Sequence, residues 1–422
     1  MTAASEPGAA PCTLPASLAG ADWLVRAETQ AVFKAIAEAG FSARIVGGAV
    51  RNALIGRAVA DIDFATTAQP NAVVALATAA GLKAIPTGID HGTITVVVGR
   101  VAHEVTTLRE DVESFGRHAR VAFTADWQAD ARRRDFTINA LYCEADGSVF
   151  DPLDGLPDLR ARRVRFIGNA DERIREDYLR ILRFFRFHAE YGHGEMDEDS
   201  LAACVREREG LGHLSGERVR AELMKLLVAA GGVATIGFMT TAGIGAIVLG
   251  VAPEVAALTR MAAFEQAHGE RPDPVLRLAA LLPSGTNIED LKVKLRLSSL
   301  EAQRLHQANT LATQLDSRID DTQGKVAIYR AGRAAFADAV MLAAARKPTA
   351  AAWPRLLRLV RGWQPPRLPV RGADLLARGV PPGPAIGRLL AAFEDWWVAE
   401  GFPSDPATID VRLSHLISGV VT

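Results

Sequence analysis

The chain is poor in cysteine, shows no bias in charge and lacks any long apolar run. Its three cysteines, Cys12, Cys143 and Cys204, are far apart and odd in number. They fit neither a disulfide framework nor a zinc site, which points to a reducing compartment and a cytoplasmic location. No stretch of about eighteen uncharged apolar residues occurs, so no membrane span is expected. Lys and Arg number 48 against 49 Asp and Glu, which excludes a uniformly basic nucleic-acid coat but not a local basic surface. The first twenty residues have neither a basic start nor an apolar core and read as a loose tail, not a signal peptide. What is present is an ordinary globular balance, 49% hydrophobic and 23% charged, which rules out a disordered chain. At 422 residues the chain is long enough for two to four domains.

The two halves differ in pattern, and the fold class expected is α+β. Between about residues 41 and 152, short apolar runs alternate with turn signals. Residues 43–46 and 62–65 read as strands. The β-branched run 93–98 turns at Gly99-Arg100 into 101–108, a hairpin, and Asp146-Gly147 marks a second. Helical stretches such as 71–80 lie between, so this half predicts a mixed sheet with helices. From about 155 onward strand signals mostly vanish. Amphipathic helices are predicted over 172–191, 217–229, 274–282, 288–295, 299–315, 372–378 and 386–400.

The most informative stretch runs from Ile45 to Thr67. Asp61 and Asp63 stand two apart in what reads as a strand, which places them on one face. Adjacent carboxylates repel unless a cation lies between them, and hard divalent cations prefer oxygen ligands. Gly47 and Gly48 turn tightly into a short helix, where backbone N–H groups hold phosphate oxygens, and Arg51 follows one turn later. Alone, an Asp-x-Asp pair or a Gly-Gly pair fits a solvated loop equally well; together the spacing describes a metal–triphosphate site. Glu104, on the neighbouring predicted strand, is a candidate third carboxylate, as metal ligand or general base, or simply an exposed strand residue. The run 132–139 combines arginines with Asp135 and Asn139; it suits phosphate and ribose, or a solvated basic turn. In the helix around residues 176–187, Asp177, Arg180, Arg183 and Arg186 recur every third position and sweep a polar arc, with Leu and Phe filling the other side. This is either a salt-bridged surface helix, with Asp177 and Arg180 paired, or a base reader. A carboxylate beside a guanidinium matches the amine-plus-ring-nitrogen edge of cytosine and adenine and mismatches uracil and guanine.

These motifs together resemble the class II tRNA nucleotidyltransferases, the CCA-adding enzymes of the superfamily that also holds bacterial poly(A) polymerases. The likeness is carried by Gly47–Arg51, Asp61–Asp63, His91–Thr95, Glu104–Arg109, Arg133–Asn139, Asp151–Gly155, Glu176–Arg180 and Ser215–Arg218, in order, over about residues 41–230. It implies that Asp61 and Asp63 hold Mg²⁺ with Glu104 as the third carboxylate, and that Gly48 and Arg51 contact the triphosphate. It further implies that Arg134, Asp135 and Asn139 serve phosphate and ribose, and that Asp177 and Arg180, supported by Arg183 and Arg186, select CTP and ATP. Arg109–Arg120, with Gly116-Arg117, fits the family's flexible loop. Asn52 stands where the family often has Asp, a change expected to alter a contact behind the site and not the metal pair. No His-Asp pair follows the apolar segment 276–283, so no added phosphohydrolase activity is expected.

The implied organisation is a loose tail over 1–25, a nucleotidyltransferase head over 26–160, a helical neck over 161–235, a body over 236–330 and a tRNA-binding tail over 331–422. The implied activity is stepwise, template-independent transfer of C, C and A from CTP and ATP to a tRNA 3′ end with release of pyrophosphate. The alternatives are a poly(A) polymerase or partial adder, a catalytically inactive RNA-binding protein, and a helical scaffold with a nucleotide-binding head. The partners implied are tRNA, through its acceptor arm and 3′ end, with CTP and ATP, for a chain that acts as a monomer or a dimer.

Overall fold

The computed structural model describes residues 13–115, 118–348 and 351–421, with side chains at 111–121 and 420–421 left aside. Cys12 and Gly116-Arg117 of the expected loop lie outside the described residues. Two compact units are present. One runs through Pro253 and takes back Val293–Arg296; the other holds Glu254–Lys292 and Leu297–Thr422.

Among the described residues, the first unit is built on nine strands: β1 Ala43–Val46, β2 Asp63–Thr66, β3 Lys83–Gly88, β4 Thr93–Val98, β5 Val101–Thr107, β6 Arg109–Phe115, β7 His118–Phe123, β8 Tyr142–Cys143 and β9 Val149–Phe150. Seven form one sheet in the order β3-β4-β5-β2-β1-β8-β9. Its β2–β5 pair is parallel and the remaining pairs are antiparallel, so the sheet is mixed, as predicted. The parallel pair needs a crossover, supplied by helix Pro70–Ala79 and the β3–β4 hairpin. Phe64, Ile94 and Val105 are wholly buried, and helices Ala27–Ala37 and Pro70–Ala79 lie against this sheet. Phe33 of the first helix meets Phe64 edge-on at 4.9 Å. Side chains alternate along a strand, so burying Phe64 against the helices turns Asp63 to the opposite face.

Both predicted hairpins are present, with Val98 opposite Val101 and Cys143 opposite Val149. The second anchors the N-terminal segment. Gly147 has φ 89°, and a Cβ there would lie 2.1 Å from the backbone nitrogen of Ala19. The Leu18 N–H donates to Gly147 O at 2.9 Å, and Leu14, Leu18, Trp23 and Leu24 are buried. A loose tail over 1–25 therefore does not hold for its described part. The Leu and Trp side chains have an apolar surface to bury, which composition alone did not reveal. Of the segment 109–120 expected as a flexible loop, the described residues belong to strands β6 and β7, which pair as a separate two-stranded ribbon.

The remaining structure is helical. In the first unit, Ala170–Glu176 and Leu179–Tyr191 replace the single helix expected over 172–191. Asp177 breaks it: its backbone is extended at φ −157°, and its carboxylate accepts the Leu179 N–H at 3.2 Å where the second helix begins. Glu198–Arg206, Gly216–Val228, Gly232–Thr241 and Ile244–Leu249 complete this unit. The second unit packs helices including Val255–His268, Pro274–Leu281, Ser299–Gln314, Arg333–Arg346 and Pro384–Ala399. Asp273 caps the helix that opens on Pro274, accepting from Val275 and Leu276 N–H groups. Among the described residues, no helix is long and apolar enough to cross a membrane.

A buried ion pair lies inside the second unit, with Arg277 Nη2 and Nε donating to Glu265 Oε2 at 2.6 and 2.9 Å. The two residues are 7% and 2% exposed. Removing one partner leaves a charge without its counter-ion in a dry site. Arg277→Met should therefore destabilise this unit by about 3–5 kcal/mol, read as a lowered midpoint in thermal or urea unfolding.

Candidate functional site

The sheet face opposite the helices opens into a cleft of about 580 Å³ within the first unit. Strand register builds its floor. Asp63 pairs with Glu104 across the parallel β2–β5 ladder, and Thr95 of β4 pairs with Glu104 from the other side. Asp61 precedes β2 on an exposed stretch and does not line the cleft, so the two aspartates are not strand neighbours as expected. Its charge still reaches Asp63. Loss of water, then the Glu104 and Asp61 carboxylates, push the Asp63 carboxyl up to about 6, against the pull of Arg134. A carboxyl raised this way by loss of water and by two neighbouring carboxylates suits neutralisation by a cation, although among the described residues no three metal-binding side chains are grouped closely enough to cage one.

Gly47 and Gly48 lead from β1 into helix Gly48–Leu54. Gly47 takes φ 73° and ψ −119°, a conformation open to glycine alone. Its N–H does not face a ligand: it donates to Leu141 O at 3.0 Å, tying the turn to the chain entering β8. Gly48 opens the helix, where the leading N–H groups lack intrahelical acceptors.

The rim is a chain of charge-assisted hydrogen bonds. Arg51 Nη1 donates to Asn139 Oδ1. Asn139 Nδ2 donates to Asp135 Oδ1 at 2.9 Å, and Arg183 Nε donates to Asp135 Oδ2 at 2.7 Å. Burial would raise the Asp135 carboxyl, but Arg183, Asn139 and the Phe136 N–H outweigh it and hold it below the usual carboxylate range. Asp130, 1% exposed, organises the next arginines: it accepts from Arg133 Nε at 2.8 Å, Arg134 Nη2 at 3.0 Å and Tyr142 OH at 2.8 Å. Burial would lower Arg134, yet Asp130 and Tyr142 keep it above its ordinary value, firmly cationic.

On the far wall, Asp177 and Arg180 do not pair with each other. Arg180 Nη1 donates to Glu176 Oε2 at 2.5 Å and to Arg173 O at 2.7 Å. Asp177 Oδ2 accepts from Arg218 Nη2 at 2.7 Å, reaching over from helix Gly216–Val228. The cleft thus brings together Gly47, Gly48, Arg51, Asp63, Glu104, Arg134, Asp135, Asn139, Asp177, Arg180 and Arg183. Arg186 is not among them. It is 8% exposed and turned into the unit, donating to Glu222 Oε2 at 2.5 Å and Glu190 Oε2 at 3.1 Å. Steps of three residues lag the helical turn, so the arginine arc rotates off the cleft by its last member. Sequence reasoning missed Asp130, Arg218, Glu176 and Tyr191 as partners of the cleft's charges. Each lies on a different element from, or a full turn away from, the group it holds, and only Arg218 and Glu176 fell within a quoted motif.

A family model described as the poly A polymerase head domain matches residues 43–165. One described as a probable RNA- and SrmB-binding site of polymerase A matches 195–258. The mitochondrial CCA tRNA nucleotidyltransferase 1 of Danio rerio is 36% identical over 85% of this chain and 83% of its own length. The CCA-adding enzyme of Levilactobacillus brevis is 32% identical over 90% of this chain and 95% of its own. The crystal structure of the Bacillus stearothermophilus CCA-adding enzyme in complex with CTP superposes with a TM-score of 0.73 at 26% identity, covering 93% of this chain and 97% of that one.

The two glycines separate turn geometry from ligand contact. Gly47→Ala puts a side chain at a glycine-only φ,ψ and should cost about 1–3 kcal/mol. At Gly48 an added Cβ meets only Arg51 Nη2, at an ordinary 3.7 Å. Unfolding midpoints of Gly47→Ala and Gly48→Ala should therefore differ, with only the first clearly lowered.

Proposed function

This chain belongs to the class II CCA-adding tRNA nucleotidyltransferases, and from that premise we propose how its cleft adds C, C and A to a tRNA 3′ end from CTP and ATP. The reaction is attack of the RNA 3′-hydroxyl on the α-phosphate of the incoming nucleotide, with pyrophosphate as the leaving group. The observation that carries the reading is the register pairing of Asp63 with Glu104 on the floor of a cleft whose walls hold Arg51, Arg134, Asp177 and Arg180.

Nucleotidyltransferases of this kind use divalent metal ions, and Asp61 and Asp63 are the residues that would hold Mg²⁺ here, with Glu104 as third ligand or as base for the attacking hydroxyl. Oxygen-only donors and mutual repelling charge fit such an ion. When bound, it supplies Lewis-acid activation of the hydroxyl and neutralises charge on the leaving group. The protein's own contribution is electrostatic and positional. Gly47 sets the turn, Gly48 offers backbone N–H, and Arg51 and Arg134 face the triphosphate with charges already fixed by hydrogen bonds, so little reorganisation accompanies transfer. Asp135 and Asn139 stand where a ribose hydroxyl would meet them, although both also hold arginines in place.

Base choice falls to Asp177 and Arg180. A carboxylate accepts from the exocyclic amine of cytosine or adenine, and a guanidinium donates to the neighbouring ring nitrogen; uracil and guanine present the reverse pattern. Support comes from how firmly both groups are held. Arg218 fixes one Asp177 oxygen and the Leu179 N–H engages the other, while Glu176 and Arg173 O fix Arg180. The helical remainder of the chain would carry the tRNA acceptor arm.

Two measurements test this. Purified protein with Mg²⁺ is given tRNA transcripts ending before CCA, at C and at CC, with CTP and ATP separately and together. Addition that completes CCA and stops is the expected outcome, and Asp61→Ala should abolish it while leaving the unfolding midpoint unchanged. Appreciable transfer by Asp61→Ala would remove the metal role. Asp177→Ala, and more mildly Arg218→Ala, should raise incorporation of UMP and GMP relative to CMP and AMP, because each mismatched buried polar group no longer penalises the wrong base by roughly 1–3 kcal/mol. Unchanged discrimination in both variants would remove the selecting role.

A further inference from the structure

Arg51 lies in the helix that follows the glycine turn, 5% exposed, and its hydrogen-bond and ring partners among the described residues are all neutral. Its Nε and Nη2 donate to Asn52 Oδ1 at 3.2 and 3.0 Å. Its Nη1 donates to Asn139 Oδ1. Its Nη2 also donates to the Tyr191 hydroxyl at 2.7 Å. The Tyr191 ring lies beneath the guanidinium at 4.0 Å from its centroid, with Phe187 at 5.2 Å and the two rings 5.5 Å apart. Carboxylates of Glu190 and Asp135 act on the guanidinium only through space.

A guanidinium carries five N–H donors. The four contacts above engage four of them and leave one on Nη1, and the side chain lines the cleft. Tyr191 itself does not line the cleft. It ends helix Leu179–Tyr191, whose first turn carries Arg180, and lies 140 residues from Arg51 in sequence. It reaches the cleft through Arg51 and through Phe187, which also lines it, and removal of the hydroxyl alone isolates the route through Arg51.

Building on the triphosphate role given to Arg51 above, we infer that Tyr191 is a positioning residue: its hydroxyl and ring set the plane of the Arg51 guanidinium for the triphosphate without neutralising its charge. A carboxylate in that place would order the guanidinium equally well but would compete with the phosphate for its charge. A phenol and two amides order it and leave the charge to the ligand. The side-chain entropy of a long arginine is lost on folding and not on nucleotide binding, so the arrangement favours affinity by preorganisation. The triphosphate is common to CTP and ATP, so the effect is blind to the base, unlike that of Asp177.

The test is calorimetric titration of the full-length protein with CTP and with ATP. Tyr191→Phe keeps the ring over Arg51 and removes only the hydroxyl. Losing one hydrogen bond to a charged group should weaken both nucleotides alike, by roughly tenfold. In an Arg51→Ala background the same substitution should change affinity by no more than about twofold, because the group it acts through is gone. An equal loss in both backgrounds, a loss for one nucleotide only, or no loss at all would overturn the inference. Arg51→Ala alone provides the separate check: should it bind CTP as tightly as the unaltered chain, the triphosphate role of Arg51 fails, and the role of Tyr191 fails with it.

Discussion

The buried carboxylate of Asp135 is the interaction on which the cleft depends. It accepts from Asn139, from the Phe136 N–H and from Arg183, and through Asn139 it fixes Arg51. One carboxylate thereby joins the helix after the glycine turn, the turn after the three arginines and the helix beyond Asp177. A charge this deeply buried is tolerable only when fully partnered, and loss of any member leaves another polar group stranded. The same cost that makes the network demanding to build makes it rigid, and a rigid array of cations is what a triphosphate in transit needs.

Against that satisfied network stands an unsatisfied one. Glu104 pairs in register with Asp63, and loss of water, then the Glu104 and Asp61 carboxylates, raise the Asp63 carboxyl. The fold places Asp63 there by burying its neighbour. Phe64 is fixed in the core, and strand alternation sends Asp63 to the open face beside Glu104. Stability and function thus occupy opposite faces of one strand. The cations across the cleft are committed elsewhere, Arg134 to Asp130, Arg183 to Asp135 and Arg180 to Glu176.

Holding residues set apart the two kinds of arginine in the helix Leu179–Tyr191. Arg183 faces the cleft and Arg186, one step of three further on, is drawn inward by Glu222 and Glu190. Asp177, which reads as an i,i+3 partner of Arg180, instead interrupts the helix and pairs with Arg218. Both outcomes depend on residues more than thirty positions away, Glu222 and Arg218, and helical spacing carries no information about them.

The sequence by itself determined the mixed sheet, both hairpins, the helical remainder and eleven of the eighteen residues that line the cleft. These are local properties: alternation of apolar side chains, turn dipeptides, and short motifs whose members lie within a few residues of each other. Gly47 belongs here too, since a glycine pair between a strand and a helix already implies a backbone that only glycine adopts. Only the tertiary structure decided which charges are partnered. It buried Leu14, Leu18 and Trp23 of a segment that reads as a loose tail, turned Arg186 away from the cleft, set Asp61 outside the strand, and brought Tyr191 beneath Arg51. Partner choice among the 48 basic and 49 acidic residues is settled by long-range packing, because a charge can be buried only where a distant chain segment delivers its counterpart.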